Sequence, residues 1–293
     1  MSYKTVLIEK TGTVARLIFN RPDKLNTFDF PGQGGMADDA RAALEELAND
    51  DDVKVVIIKG AGRSFSAGHD LTAVGFVYGM GMGRADERRA SERIRLKVDK
   101  TWFYDYYMYL FLYPKITIAQ VHGHCLGDGI ATVCCCDMAV AAEDAKIGHS
   151  EQRLGFAGSG GPDFGIFVAT VGLKRAVELH LTGRTFDGKE AERMGLVNRV
   201  VPADKLEETV EELAKQVSML PRDGIAIGKA HRHLSYDALG LTKSITPGYI
   251  THTLFTNLRW EADEYNFFKQ RRDKGAREGF HGLHSRYEEG KSA

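Results

Sequence analysis

Three glycine-bearing stretches could hold reactive groups against a ligand. They are Gly60 to Leu71 (GAGRSFSAGHDL), His122 to Ala131 (HGHCLGDGIA) and Gly148 to Gly161 (GHSEQRLGFAGSGG). A glycine backbone can approach another group closely because no Cβ intervenes. None of the three fits G-x-G-x-x-G or a loop ending in glycine-lysine-serine, so a nucleotide-phosphate cradle is not indicated. The third stretch carries a carboxylate, Glu151. Backbone N–H groups from two separate loops can stabilise a developing oxyanion, and a carboxylate beside them can move a proton. Glu151 is therefore the candidate acid/base; a surface residue or a helix cap is the competing reading. His124 and His149 also lie in these stretches. A histidine near neutral pH could act as base in a hydrolase or decarboxylase.

Each stretch follows an apolar run that reads as a buried strand: Val53 to Ile58, Ile116 to Val121 and Met138 to Ala142. Nearly continuous apolar strands suggest burial on both faces and parallel pairing between helices. Residues 4–20 read as two short strands around Thr11-Gly12, with Val14, Arg16 and Ile18 alternating. Met36, Ala40, Ala43, Leu44 and Leu47 recur at helical spacing. Leu206 to Met219 does the same, bracketed by Pro202 and Pro221.

Two regions have a different texture. Val74 to Arg95 holds Gly75, Gly79, Gly81 and Gly83, then a charged run. It reads as a glycine-rich loop and an exposed helix start, or as a lid over a binding site. The aromatic stretch from Trp102 to Tyr113 is either core packing or the wall of a bulky apolar pocket. Arg271, Arg272, Lys274 and Arg277 form a basic patch that reads as a solvated helix face.

The 293 residues are 43% hydrophobic and 27% charged, an ordinary globular composition with a net charge of -1. That balance makes no case for a nucleic-acid or membrane partner. No apolar run approaches the ~20 residues of a membrane helix, and the start of the chain alternates apolar and charged residues. A cytoplasmic location is expected. Cys125 and the run Cys134, Cys135, Cys136 lack metal-site spacing and read as small buried thiols, so no metal is expected.

Several segments, in order, resemble the enoyl-CoA hydratase/isomerase (crotonase) superfamily. Asn20-Arg21-Pro22 with Asn26 is similar to its N-R-P-x-x-x-N segment. Phe65 to Leu71 resembles its first oxyanion loop, and Gly123 to Gly129 its second. Leu181-Thr182-Gly183-Arg184 and Gly195-Leu196-Val197 resemble later signatures, so the likeness runs from about residue 4 to residue 230. It implies an α/β fold, a crotonase-like spiral of ββα repeats over residues 1–200 with a C-terminal helical region over 201–293. It implies an acyl-CoA substrate, with coenzyme A as part of that substrate and no covalently bound cofactor, and a homo-trimer or hexamer.

The resemblance also implies roles. The thioester oxygen would lie between the backbone N–H groups of His69 and Asp128, and Glu151 would transfer the proton. Lys24, Leu25, Ala67, Gly68, Asp70 and Leu71 would meet the coenzyme and substrate. Two departures stand out. Hydratases of the family use a second glutamate, whose position is Ala131 here. Asp128 puts a carboxylate beside the expected oxyanion, where it must point away or be protonated. No catalytic role is expected for the His69 side chain. A single glutamate also fits double-bond isomerases and hydroxycinnamoyl-CoA hydratase-lyases, which resemble this chain around Trp260 to Gly279. A non-catalytic acyl-CoA- or RNA-binding member of the fold is the remaining alternative.

Overall fold

The computed structural model describes residues 3–29, 35–71, 91–155, 163–255 and 260–289. Its main sheet has six strands in the order β1-β2-β3-β4-β6-β8. β1 (Val6–Thr11) and β2 (Val14–Phe19) form an antiparallel hairpin. β2, β3 (Val55–Gly60), β4 (Ile116–Val121), β6 (Met138–Ala142) and β8 (Arg199–Val201) run parallel. The alternation in β2 and the apolar runs of β3, β4 and β6 thus become what their patterns imply. β3 starts two residues later than its apolar run, because the Val53 N–H turns back to Asp50 O at 3.0 Å and is lost to the ladder.

Two three-residue strands, β5 (His124–Leu126) and β7 (Lys146–Gly148), form a second parallel sheet. Each follows a main-sheet strand after a short turn, β5 after β4 and β7 after β6, and β5 leads into α4 (Asp128–Cys135). The first loop joins this layer through a Ser66–Cys125 bridge. The first stretch therefore lies beside β5 of the second, and β5 beside β7, whose Gly148 opens the third.

Helix α1 (Met36–Ala48) buries Ala40, Ala43, Leu44 and Leu47 in the core beside β1 and β2. A later helix, α8 (Leu206–Ser218), packs Val210, Leu213 and Ala214 on β2, β3, β4 and β6. It follows residue 200, so the first helix of the C-terminal region shares the core of the layered part. Between them in sequence lie α5 (Phe164–Val171), α6 (Leu173–Thr182) and α7 (Gly188–Met194).

The charged run does start a helix whose first residues, Glu92 to Ile94, are exposed, but the surface reading fails at Arg95. The described part forms α2 (Glu92–Asp99), yet Arg95 and Asp99 are fully buried. Arg95 donates to Thr253 O at 2.6 Å, and Asp99 accepts from the Thr253 hydroxyl at 2.6 Å. Both bonds go to one residue of α10 (Leu241–Phe255), more than 150 residues away, which no local pattern could announce. The glycines from Gly75 to Gly83, and the lid reading, lie outside the described residues.

The aromatic stretch serves both of its proposed purposes. A π-helical segment over Lys100–Tyr106 runs into α3 (Tyr107–Phe111). Trp102, Tyr106 and Tyr107 are core, while Phe103 faces a cavity. The chain then closes through α9 (Arg222–Ala238), α11 (Phe267–Lys274) and α12 (Ala276–Glu289). Arg271 is not merely solvated: it donates to Leu71 O at 2.7 Å, tying α11 to the first loop. All four cysteines are free, and burial pushes their thiols up.

Candidate active site

The first loop is held by the segment that precedes it. Leu25 and Asn26 both adopt left-handed backbone, which few non-glycine residues do. That turn aims the buried Asn26 amide at Ala61 O (2.8 Å) and Ser64 O (2.7 Å), while its oxygen accepts from the Arg21 N–H at 2.9 Å. Ala67 N–H bonds Leu25 O at 2.9 Å, while Ser66 N–H donates to His124 O and Leu126 N–H to Ser66 O, each at 2.9 Å, tying the loop to β5. The N-R-P-x-x-x-N segment is thus a clamp on the Phe65 to Leu71 backbone.

Two glycines set how close the first and second loops come. Gly68 has φ +85°, and a Cβ there would stand 2.9 Å from Leu126 O. Gly127 has φ +50°, and a Cβ there would stand 3.6 Å from the Gly68 Cα. His69 and Asp128, the next residue of each loop, are therefore neighbours in space. His69 bridges Phe28 in parallel fashion, with Phe28 N–H bonding Gly68 O and Asp70 N–H bonding Phe28 O. In that pattern the His69 N–H faces away from Phe28. Asp128 opens α4, where the first N–H groups have no partner within the helix. Among the described residues neither amide makes a backbone hydrogen bond.

Glu151 arrives from the third loop, in a 3-10 turn over Ser150–Leu154. Its carboxylate reaches the second loop: a Cβ on Gly127 would lie 3.4 Å from Glu151 Oε2. His149 Nδ1–H donates to Glu151 Oε1 at 2.8 Å. On the other side of the ring, His149 Nε2 stands 3.1 Å from Asp163 Oδ2, off the line of a good hydrogen bond. His149 and Asp163 are both buried. Burial opposes a charged His149, but Asp163 and Glu151 outweigh it and its pKa is pushed up to about 10. The ring is thus an imidazolium at neutral pH, pinning one oxygen of Glu151. His180 lies 4.3 Å away, centroid to centroid, and burial with the His149 charge pushes it down to about 4.

These residues open on one cavity of about 550 Å³. Leu25, Ala67, Gly68 and Leu71 line it, as do His69, Asp128 and Glu151. Ala131 contributes only a methyl group to the wall. Lys24 and Asp70 are not in that wall. Asp70 is buried, with Arg21 Nη2 at 3.0 Å and Lys24 Nζ at 3.2 Å.

The architecture has close counterparts. A structure of an enoyl-CoA hydratase/isomerase from Xanthobacter autotrophicus superposes with a TM-score of 0.83 at 28% identity, over 97% of this chain and 99% of that one. The probable enoyl-CoA hydratase of Mycobacterium tuberculosis is 32% identical over 230 residues, 78% of this chain and 81% of the relative. The hydroxycinnamoyl-CoA hydratase-lyase of Pseudomonas fluorescens is 34% identical over 215 residues, 73% of each. The profile of the enoyl-CoA hydratase/isomerase family matches residues 9–264. The chain belongs to the enoyl-CoA hydratase/isomerase family. Its mixed α/β fold with a parallel-rich sheet is the crotonase fold.

What this crotonase carries beside the two amides was not legible in its sequence. The Asp128 side chain is buried, and Tyr107 donates to its Oδ1 at 2.8 Å. The His69 ring is in ion-pair contact with Oδ2 through Nδ1. Burial opposes protonation of His69, but Asp128, with Glu151 and Asp99 further off, outweighs it and raises the pKa. The ring stacks on Trp102 at 4.2 Å and 8° between planes. Sequence reasoning had Asp128 as an unexplained charge and missed Tyr107 and Asp163. No spacing rule joins residues 21, 38 or 59 positions apart that meet only through the fold. Of the two other histidines considered, His149 sits at the centre beside Glu151, while His124 lies at the cavity's edge with its pKa lowered by burial and by Lys146 and Arg63.

Proposed function

We propose that this crotonase binds an acyl-CoA thioester, holds its enolate oxygen between the His69 and Asp128 N–H groups, and moves the proton with Glu151. The observation that carries the reading is the position of Glu151. Its Oε2 stands beside Gly127, the residue before Asp128, and Gly127 lies against Gly68, the residue before His69, while Oε1 is held by His149. Removing a proton next to a thioester leaves negative charge on the carbonyl oxygen, and fixed donors in a dry cavity stabilise that charge most effectively. The free oxygen of Glu151 is the one left to receive the proton. Leu25, Ala67, Gly68 and Leu71 would line the path of the substrate, with Lys24 and Asp70 at its outer margin.

Hydration, isomerisation and cleavage share this enolate. A second reading, hydroxycinnamoyl-CoA hydratase-lyase, is favoured by the aromatic wall at Phe103 and Phe280 and by the likeness to the Pseudomonas fluorescens enzyme. Turnover of crotonyl-CoA, a 3-enoyl-CoA and a hydroxycinnamoyl-CoA, followed in parallel, tests both. At least one should be consumed, and Glu151→Gln should lose ~10²–10⁴ in kcat while still binding coenzyme A. Three inert thioesters, or an active Glu151→Gln, would overturn the reading.

The same proposal extends to assembly as a trimer or a dimer of trimers. Leu173, Val177 and Leu181 lie at helical spacing on α6 and are all exposed in the single chain, an apolar stripe that a neighbouring subunit would cover. Light scattering should give a mass of three or six chains.

A further inference from the structure

We propose that the His69–Asp128 pair is the second proton-transfer group of this cavity, standing in for the carboxylate that position 131 lacks. This rests on the roles proposed above for Glu151 and the two amides, and adds a partner to them.

The pair is built like a base and its orienting carboxylate. Asp128 is buried, one oxygen taken by the Tyr107 hydroxyl and the other in contact with His69 Nδ1. Only one ring nitrogen of His69 is used. His69 Nε2 is buried and has no hydrogen-bond partner among the described residues. An imidazole nitrogen left in that condition is costly unless a ligand supplies the missing partner. The ring itself is 19% exposed and lines the cavity that Glu151 and Ala131 also line. Stacking on Trp102, with Phe103 5.9 Å away, fixes the plane of the ring, so its free nitrogen has a set direction. A carboxylate holding one imidazole nitrogen, so that the other meets the reacting atoms, is the arrangement by which histidine becomes an effective acid or base.

The charged and titratable groups around His69 come from four elements. Asp128 is on α4, Asp99 on α2, Glu151 on the third loop, and His252 of α10 lies 5.8 Å away, centroid to centroid. Tyr107 reaches the pair only through Asp128. Three carboxylates act on one ring against its burial, so it holds its proton more tightly than a free imidazole does and has a proton to give.

In hydration the proton count closes. Glu151 takes a proton from water as the water oxygen bonds the β-carbon. The Cα=Cβ pair moves through the carbonyl onto the thioester oxygen, where the two amides hold the enolate. As the enolate collapses, Cα takes the Nε2 proton of His69. Glu151 is left protonated and His69 neutral, and exchange with solvent returns the proton from one to the other. Elimination of water runs the same steps backwards. The arrangement also accounts for Asp128: its charge is spent on the imidazolium rather than on the enolate.

The double variant His69→Ala/Asp128→Gly tests this. It removes both charges together, strands neither, and keeps both backbone N–H groups. It is assayed on whichever of the three thioesters the wild type consumes fastest. We expect kcat to fall ~10²–10⁴ with KM little changed, the alkaline limb of the kcat profile to disappear, and Ala131→Glu added to it to restore at least tenfold. Wild-type kcat with an unchanged alkaline limb, while Glu151→Gln is inactive, would make the pair structural and overturn the proposal alone. If Glu151→Gln is also active, or no thioester is consumed, the underlying reading falls with it. Should the double variant fail to fold by circular dichroism, Asp128→Asn decides the matter. Removing that charge should shift the alkaline limb to lower pH, and an unmoved limb would overturn the proposal.

Discussion

The two sides of the cavity solve one problem differently. On the third-loop side, Glu151 meets a histidine whose other face meets Asp163, so carboxylate, imidazolium and carboxylate alternate. On the side of the first and second loops, the order is Tyr107, Asp128, His69, and it ends on an imidazole. In one case the terminal group is a carboxylate buttressed by a cation; in the other it is an imidazole buttressed by a carboxylate, its pKa raised. The comparison teaches that a buried charge at a reactive centre is defined by its partner. Asp128 considered alone is an obstacle to an enolate, whereas Asp128 with His69 is a neutral pair with a donor at its end. The same holds for Glu151, which would be free to turn away without His149.

The largest expected effect falls on the terminal group of the third-loop side. Glu151→Gln keeps the shape and the contact to His149 but removes the proton carrier, so kcat should fall ~10²–10⁴ with coenzyme A still bound by calorimetry. Next comes the buttress. His149→Phe leaves Glu151 intact but unpinned, and a misplacement of about 1 Å can cost ~10²-fold. Its kcat should fall by up to that amount, with most of the loss recovered in His149→Gln, whose amide can still donate to Glu151. Equal damage by both variants would mean that the charge of His149, rather than its hydrogen bond, does the holding.

The imidazolium also gives a signature in stability. His149 has a folded pKa of about 10, above the ordinary value of 6.5. A base that binds its proton more tightly when folded stabilises the protein fully below the unfolded pKa, and that stabilisation is lost as pH rises through the folded one. The wild type should therefore lose stability between about pH 6.5 and 10, and denaturant midpoints for His149→Gln should fall less over that window. His180 works in the opposite sense. Its lowered pKa of about 4 makes its contribution full above pH 6.5 and lost as pH falls through 4. A flat wild-type profile from pH 6.5 to 10 would break the contrast between the two sides, since neither would then hold a permanent cation.

The sequence made the layered parts of the molecule legible and the paired charges illegible, for one reason. Strands β4 and β6 and helix α8 are written as local periodicity, and each buries the face that its period implies. Glu151 was singled out as the carboxylate of a glycine-bearing stretch and by the family resemblance, and the fold does bring it to the same cavity as His69 and Asp128. His69, Asp128 and Tyr107 are joined by the crossing of three elements, and Asp163 reaches His149 from the start of α5. Arg95 was misjudged in the same way, because a buried charge in a polar run differs from an exposed one only by a partner that the run does not contain. Composition could state how many charges there are; only the fold states which of them are neutralised.

A modest substitution in the site's periphery, Ala131→Glu, would sharpen the contrast further. In the wild-type background it places a carboxylate in the same cavity as Glu151 and His69. If His69 already supplies the second proton, the new group is redundant, and crotonyl-CoA hydration should change by less than about tenfold in either direction. A gain of a hundredfold or more would indicate that the side of the first and second loops supplies no acid.

The smallest effect is expected at the outer margin, where Lys24 decides between two tasks. Its amine is 3.2 Å from Asp70, but its side chain is 54% exposed, and Asp70 already has Arg21 at 3.0 Å. An exposed ion pair contributes about 0.2–1 kcal/mol, so Lys24 is dispensable to Asp70. Its ammonium is then available to a phosphate of the coenzyme, as a charge-assisted donor on the edge of the path. Such a contact is made equally in the ground state and the transition state, so its loss should raise KM without touching kcat. Lys24→Ala should therefore raise KM for an acyl-CoA about two- to fivefold, leave kcat and the denaturant midpoint where they were, and lose its effect at high salt, where exposed charges are screened. A lowered midpoint with unchanged KM would assign Lys24 to Asp70 instead, and the coenzyme's phosphates would need another partner.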